Sequence, residues 1–300
     1  MITNFIISLV LFIIGYVFVL SRLKLFDVLV NALNIFLFYV TIPLIIFDII
    51  YSEKHLTVFS LAISVSTIHM AVIFAASYWY MKMQRQDDRP RALAFALSLS
   101  MSNVAYLAIP LAITVFGDTR YILPYTIAFN IALPVVTFVL SYIGYEGINK
   151  SRSIGKAFVR TLPFILAIAL ALVLRYLELD LGFLAPVFDI NTYFTFLSFI
   201  LIGYEFAKFV RRFNKELLKV SLAALIIKYI VSPIAMVLLV SVAEIDEYLR
   251  GLLLQSIMPP AVTNIVLAKM FKLDTEIVSL LIVLLTPISI GLSFLIPLIP

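Results

Sequence analysis

Gln255-Ser256-Ile257-Met258-Pro259-Pro260-Ala261-Val262-Thr263-Asn264 sits in the middle of an apolar run covering about residues 249–271. Each proline removes an amide donor and clashes with the carbonyl four residues back, so two in succession predict a helix that stops and restarts. A second run, about 92–116, holds Ser102-Asn103-Val104-Ala105-Tyr106-Leu107-Ala108-Ile109-Pro110. Asn103 lies about 11 residues into its run and Pro259 about 10 into its own. At about 1.5 Å per residue both fall roughly 15–17 Å deep, close to the middle of a hydrocarbon core about 30 Å thick. Unpaired backbone at that depth is tolerated only against protein or a watery cavity. Two half-helices restarting there aim their positive N-termini at one spot, which suits an anion, most simply a carboxylate. Asn103, Thr263 and Asn264 add amides and a hydroxyl able to bond it. The plainer alternative for either run alone is a proline kink in a membrane helix, with asparagine bonding a neighbouring helix.

Further apolar runs lie at about 1–20, 28–50, 56–81, 120–146, 157–176, 187–209, 217–242 and 274–298, making ten with the two interrupted ones. All are helical by length, since a membrane barrel needs alternating segments about half as long. Of the 300 residues 63% are hydrophobic and 13% charged, and the mean hydropathy is +1.13. A soluble domain is about half apolar and about a quarter charged. Such a chain is therefore an all-α polytopic membrane protein, with the lipid bilayer as its surroundings and no nucleic-acid partner. The run Met1–Leu20 lacks a basic start and a small-x-small cleavage site, so it reads as a helix that stays. Cysteine is absent, which excludes disulfides and thiolate metal sites.

Charge sets the expected orientation. Of the 22 Lys and Arg, 17 fall in connectors after odd-numbered helices, from Arg22 and Lys24 to Lys269 and Lys272. The connectors after even-numbered helices hold Lys54, Arg120, Arg175 and Arg250, one each. Basic loops stay cytoplasmic, so both termini are expected to be extracytoplasmic in a multi-pass protein of the cell membrane. Five helices per half then require the second half to enter the membrane upside down. The expected organisation is a first repeat over 1–146, a cytoplasmic connector over 147–156 and a second, inverted repeat over 157–300. Asp118-Thr119 after helix four recurs as Asp274-Thr275 after helix nine, 156 residues later. Inverted repeats are a common transporter plan.

Ser102-Asn103-Val-Ala-Tyr-Leu-Ala-Ile-Pro110-Leu with Phe116-Gly117 resembles the fourth-helix motif of the auxin efflux carrier (PIN-like) family. Pro259-Pro260-Ala-Val-Thr-Asn264-Ile-Val-Leu-Ala-Lys269-Met-Phe resembles its ninth-helix motif, and Gly15-Tyr16 with Tyr39-Val-Thr-Ile-Pro43-Leu is similar to its first two helices. The resemblance covers essentially the whole chain. It implies ten helices in a crossover fold related to the bile-acid sodium symporters, with helices 4 and 9 broken and crossing. It also implies a scaffold of helices one, two, six and seven that usually forms a homodimer, and a transport domain moving like an elevator. The substrate carboxylate would bind at the crossover, which places Asn103, Pro110, Pro259, Pro260 and Asn264 there. The plant hormone exporters carry a long loop between the halves; here it is about ten residues. The chain therefore looks more like short-loop, largely prokaryotic members, whose proposed substrates include malate- and malonate-type anions. Bile-acid-type symporters bind sodium with a carboxylate on helix nine, where this chain has Gln255. Protons, or no coupling ion, remain open.

Lys228 lies about 11 residues into helix eight, near mid-bilayer, where a charge is costly unless paired, neutral or wet. It reads either as a counter-charge or proton-coupling group for the anion, or as a structural residue that snorkels or pairs with Glu205. A hairpin turning near residue 212 leaves Glu205 roughly 12 Å along the axis from it. His69 in helix three reads as a proton carrier or as a neutral histidine bonded to a neighbouring helix. Asn130 in helix five is a further candidate for lining the site, and Pro134 should bend that helix. The function these features point to is a secondary-active carrier of small organic anions by alternating access. The alternatives are a membrane-embedded anion sensor and a sodium-coupled symporter of bile-acid type. An enzyme is not expected: His-Glu-x-x-His, Gly-x-Ser-x-Gly and thiols are all missing, and neither a cofactor nor a metal is implied.

Overall fold

The computed structural model describes residues 2–21, 24–84, 88–143, 150–179, 191–210 and 218–298, and helices occupy every apolar run. The first is α1 (Ile2–Ser21). Next, α2 (Lys24–Phe36) passes through a wide π-turn, Leu37–Thr41, directly into α3 (Ile42–Ser52). The same arrangement recurs late in the chain, where the helices Leu218–Ile226 and Ser232–Ala243 are joined by the π-turn Ile227–Val231. Each π-turn lies just ahead of a proline, Pro43 or Pro233. The ring of each presses on the carbonyl four residues back, Tyr39 or Tyr229, and a widened turn relieves that clash.

Between these come α4 (Leu56–Met83), α5 (Arg89–Ser100), α6 (Ala108–Phe116), α7 (Leu123–Ile143), α8 (Lys150–Tyr176) and α9 (Asn191–Val210). Then follow α10 (Leu218–Ile226), α11 (Ser232–Ala243), α12 (Leu249–Ser256), α13 (Thr263–Met270) and α14 (Thr275–Ser293). Capping follows the sequence. Asp88 accepts from Arg91 N–H at 3.1 Å at the start of α5, with Pro90 in the first turn. Asp274 accepts from Glu276 and Ile277 at 2.9 and 3.1 Å at the start of α14. Gly117, with φ 72°, closes α6 in the left-handed conformation that glycine adopts without strain. The basic stretch Lys150–Lys156 of the expected connector is helical, part of α8. Its remaining residues, 147–149, lie outside the described ones, as do 187–190 at the start of the seventh run.

Among the described residues, five segments are long and apolar enough to cross a membrane: Leu25–Ser52, Leu56–Met83, Arg120–Leu140, Val220–Ala243 and Thr275–Leu298. Their outer faces, and those of α1 and α8, expose apolar side chains such as Leu9, Ile68, Leu166, Leu170 and Leu238. Apolar surface on this scale marks contact with lipid. This is a helical membrane protein, with no strand among the described residues beyond one isolated bridge.

α1 runs along α9 in the most extensive helix pair, and α3 packs along α8. The Arg175 guanidinium of α8 caps the end of α3, donating to Ile50 O at 3.2 Å and to Glu53 O. Polar contacts between connectors sort into two sets. Arg91 pairs with Asp274 at 3.9 Å and Lys208 with Asp27 at 3.6 Å, joining connectors that follow odd-numbered runs. Tyr248, by contrast, stacks edge-on against Tyr121, both beside connectors that follow even-numbered runs.

Gly251 sets the approach of α12 to the turn before α7. A Cβ there would overlap Tyr121 O and lie 2.6 Å from Tyr121 Cβ. Gly251→Ala should therefore lower the melting temperature by several degrees. Gly291, inside α14, has open space around it. Gly291→Ala should raise stability by about 0.5–1 kcal/mol through helix propensity. Thermal unfolding of the two variants checks both directions; a harmless Gly251→Ala would show that α12 does not lie this close.

Candidate functional site

Both interrupted runs break where their sequences predict, and the breaks touch. α5 ends at Ser100 and α6 starts at Ala108; α12 ends at Ser256 and α13 starts at Thr263. In the gaps the chains pair antiparallel at Ser102 and Pro260. Asn103 N–H donates to Pro259 O at 2.7 Å, and Ala261 N–H donates to Met101 O at 3.0 Å. The bonding follows from the prolines. Pro259 and Pro260 have no N–H to give, so the ladder uses the Pro259 carbonyl and the next available amide, that of Ala261.

The carbonyls left open where each half-helix ends are satisfied by side chains from other helices. For α5 the donors come from the second half of the chain. Asn264 Nδ2 donates to Met101 O at 2.7 Å and to Leu97 O at 3.4 Å, while Lys228 Nζ donates to Leu99 O at 3.1 Å and Ser102 Oγ at 2.6 Å. For α12 the donors are hydroxyls: Ser232 Oγ to Ser256 O at 2.8 Å and Ser289 Oγ to Ile257 O at 2.6 Å. Asn103 caps the start of α6 through Oδ1, which accepts from Leu107 N–H at 3.3 Å. Gln255, on α12, donates to Val104 O and Ile122 O, both at 3.2 Å, and Thr126 Oγ1 adds a bond to Val104 O at 3.0 Å.

On one side of the crossing lies a cavity of about 30 Å³. Its polar lining comes from Asn103, Asn130, Thr263 and Ser102, and its apolar wall includes Phe38 and Phe164. That volume holds about one water. Asn130 is anchored by Nδ2 to Thr126 O at 2.8 Å, and its Oδ1 is buried with no partner among the described residues. The chain matches no protein-family model and no curated protein.

Of the residues expected at the site, Asn103, Asn130 and Thr263 line the cavity together. Pro259, Pro260 and Asn264 build the crossing itself, fully buried behind that lining. Pro110 lies within α6, its carbonyl taken by Thr114 Oγ1 at 2.8 Å. Lys228 and His69 are not among the lining residues. His69 is held by Tyr125 OH at 2.9 Å and by Ser232 O at 3.0 Å, tying α4 to α7 and α11. Lys228 is fully buried and takes part in none of the ion pairs among the described residues. Sequence reasoning did not reach the aromatic wall. Phe38 packs edge-on against Phe164 at 5.0 Å and also meets Tyr106 at 6.5 Å, whose hydroxyl donates to Asn34 Oδ1 at 2.5 Å. The Tyr39-x-x-x-Pro43 signal that widens the helix around Phe38 is where it was visible.

A larger chamber of about 370 Å³ lies between α1, α6, α9 and α14, lined by Leu9, Phe12, Leu111, Phe199, Thr114 and Thr286 among others. Size alone would favour it. Its two threonine hydroxyls are spent on Pro110 O and Ile282 O, so its wall offers a carboxylate little to bond. Chemistry favours the smaller cavity.

Proposed function

We propose that this protein is a secondary-active carrier of small organic anions, of the PIN-like type, with its substrate bound in the cavity beside the helix crossing. The observation that carries the reading is the direct backbone pairing of the two breaks at Ser102 and Pro260. It brings the N-terminal ends of α6 and α13, one from each half of the chain, to a cavity lined by Asn103, Asn130 and Thr263. Helix N-termini favour anions, and side-chain amides and hydroxyls fix orientation without adding a charge that would hold the substrate in place. Asn130 Oδ1, with no partner among the described residues, offers an acceptor to a hydroxyl or a protonated carboxyl on the same substrate.

In this reading ten helices span the cell membrane as two inverted repeats, 1–146 and 157–300, joined by a cytoplasmic connector. Both termini are extracytoplasmic. The segregation of connector contacts supports that alternation: Arg91–Asp274 and Lys208–Asp27 on one side, the Tyr121–Tyr248 pair on the other. Asp118 and Asp274 support the repeat, since each accepts from the amide two residues on, at 2.8 and 2.9 Å. The first, second, sixth and seventh helices form the scaffold and the homodimer surface. The cavity, about 30 Å³, is smaller than a dicarboxylate, so loading requires it to widen beside Phe38, Tyr106 and Phe164. That movement is the alternating-access step.

Counterflow in proteoliposomes tests it. Labelled malonate, malate or a related acid should accumulate against unlabelled acid trapped inside, and Asn103→Ala with Asn130→Ala should reduce exchange at least tenfold. A protein that binds such an acid, seen as thermal stabilisation, yet exchanges no label would be a sensor, and the carrier reading would fall.

A further inference from the structure

The two interrupted helices end alike in backbone but not in charge. The end of α12 receives neutral hydroxyls from Ser232 and Ser289. The end of α5 receives Nζ of Lys228, which reaches Leu99 O and Ser102 Oγ from the π-turn Ile227–Val231. Carbonyls at the end of a half-helix carry the negative pole of its dipole. In carriers with interrupted helices such ends, together with unwound carbonyls, coordinate sodium or a proton. Three more features make the end of α5 a place for a cation. It lies in a fully buried setting, since Ser102 and Lys228 are 0% exposed. Its acceptors toward Lys228 are oxygens: the Leu99 carbonyl and the Ser102 hydroxyl. Asn264 also keeps Oδ1 buried with no partner among the described residues.

We infer that Lys228 is a tethered cation occupying a monovalent-cation site at the carbonyl end of α5, so that no free sodium ion binds there. The lysine is a positioning residue: it neutralises the helix end that holds the crossing and does not touch the anion cavity, whose lining excludes it. The consequence for transport rests on the carrier reading: exchange should not need sodium, because the cation that would be coupled is built into the chain. Occupancy of the site does not rest on that reading. The π-turn matters here, since it inserts the lysine at a widened turn of an otherwise continuous helix rather than at a helix end.

The test is thermal unfolding of purified full-length protein in detergent, in sodium, potassium or N-methyl-D-glucamine chloride at equal ionic strength. Wild type should melt at one temperature in all three. Lys228→Ala, which empties the site, should melt several degrees lower in N-methyl-D-glucamine and recover most of the loss, saturably, in sodium or potassium. Lys228→Gln keeps a donor and fills the space without charge; it should melt below wild type and ignore the cation. Sodium-specific stabilisation of wild type would overturn the inference, as would a Gln variant as stable as wild type, or an Ala variant that no cation restores. Should the Ala variant not fold in any salt, wild type and the Gln variant decide. Failure of every anion to exchange would remove the carrier reading and leave these melting results standing.

Discussion

Asn264→Leu should cut anion exchange at least tenfold while costing the fold only about 1–2 kcal/mol. Leucine keeps asparagine's branching at Cγ and has no donor. The side chain is fully buried, and its Nδ2 bonds Met101 O and Leu97 O on the other interrupted helix. Neither carbonyl is orphaned by the change, because Met101 O keeps Ala261 N–H at 3.0 Å and Leu97 O keeps Met101 N–H at 2.9 Å. The full penalty for stranding a buried acceptor, about 1–3 kcal/mol each, therefore does not apply. Interhelical side-chain bonds in membranes average about 0.6 kcal/mol with a maximum near 1.7, so two of them give the figure above. Function is more sensitive than stability, because Asn264 sits in the first turn of α13 and ties it to the end of α5. Without that tie the N-terminus of α13 is free to shift relative to Asn103 and Asn130. Val266, two residues on and 52% exposed, provides the control: Val266→Ala should stay within about 0.5 kcal/mol of wild type. Melting curves and counterflow on both variants decide the matter. Equal loss of exchange and of folded protein would reduce Asn264 to a structural residue.

What could be read from sequence here was mostly what backbone chemistry forbids. Pro259-Pro260 cannot continue a helix, so the break was legible, and the depth of Asn103 placed the second break level with it. That the breaks pair by Asn103 N–H and Ala261 N–H was not legible, since it depends on which carbonyls the tertiary arrangement brings opposite. Lys228 shows the same limit. Its depth in an apolar run marked it as a residue needing a partner, and spacing argued against Glu205. No sequence pattern pointed to the end of α5, roughly 130 positions away, because a helix end is made of carbonyls that every residue has. His69 was legible as one of two alternatives, and the structure places it between Tyr125 and Ser232. The π-turns had a readable cause in Pro43 and Pro233, yet Pro134, Pro163 and Pro287 sit inside helices that continue as α-helix. Proline alone does not determine which relief a helix takes.

Gly203→Val should yield no folded protein, and Gly203→Ala should be among the most destabilising single-methyl changes in the chain. α1 and α9 meet through glycine on both sides. A Cβ on Gly203 would overlap Phe12 O and lie 2.8 Å from Phe12 C; one on Gly15 would overlap Ile200 O and lie 3.0 Å from Tyr204 N. In each case the obstacle is backbone, which cannot rotate away as a side-chain tip can. Membrane helices gain no hydrophobic drive from leaving lipid and rely on close backbone approach at small residues. Separating α1 from α9 therefore loses contacts along the whole pair, including the packing of Phe12 against Phe206 at 5.5 Å. Overpacking of a tight interface costs about 1–3 kcal/mol, and valine adds two further carbons to the same clash. The two glycines lie on one interface, so their effects should not add. Once Gly203→Ala has pushed the helices apart, Gly15→Ala meets a gap already opened, and the double variant should lose less than the sum of the singles by about 0.5–3 kcal/mol. Unfolding of the four proteins in one detergent gives that cycle directly. Strict additivity would mean that the two glycines face different neighbours and that α1 does not lie against α9 in this register.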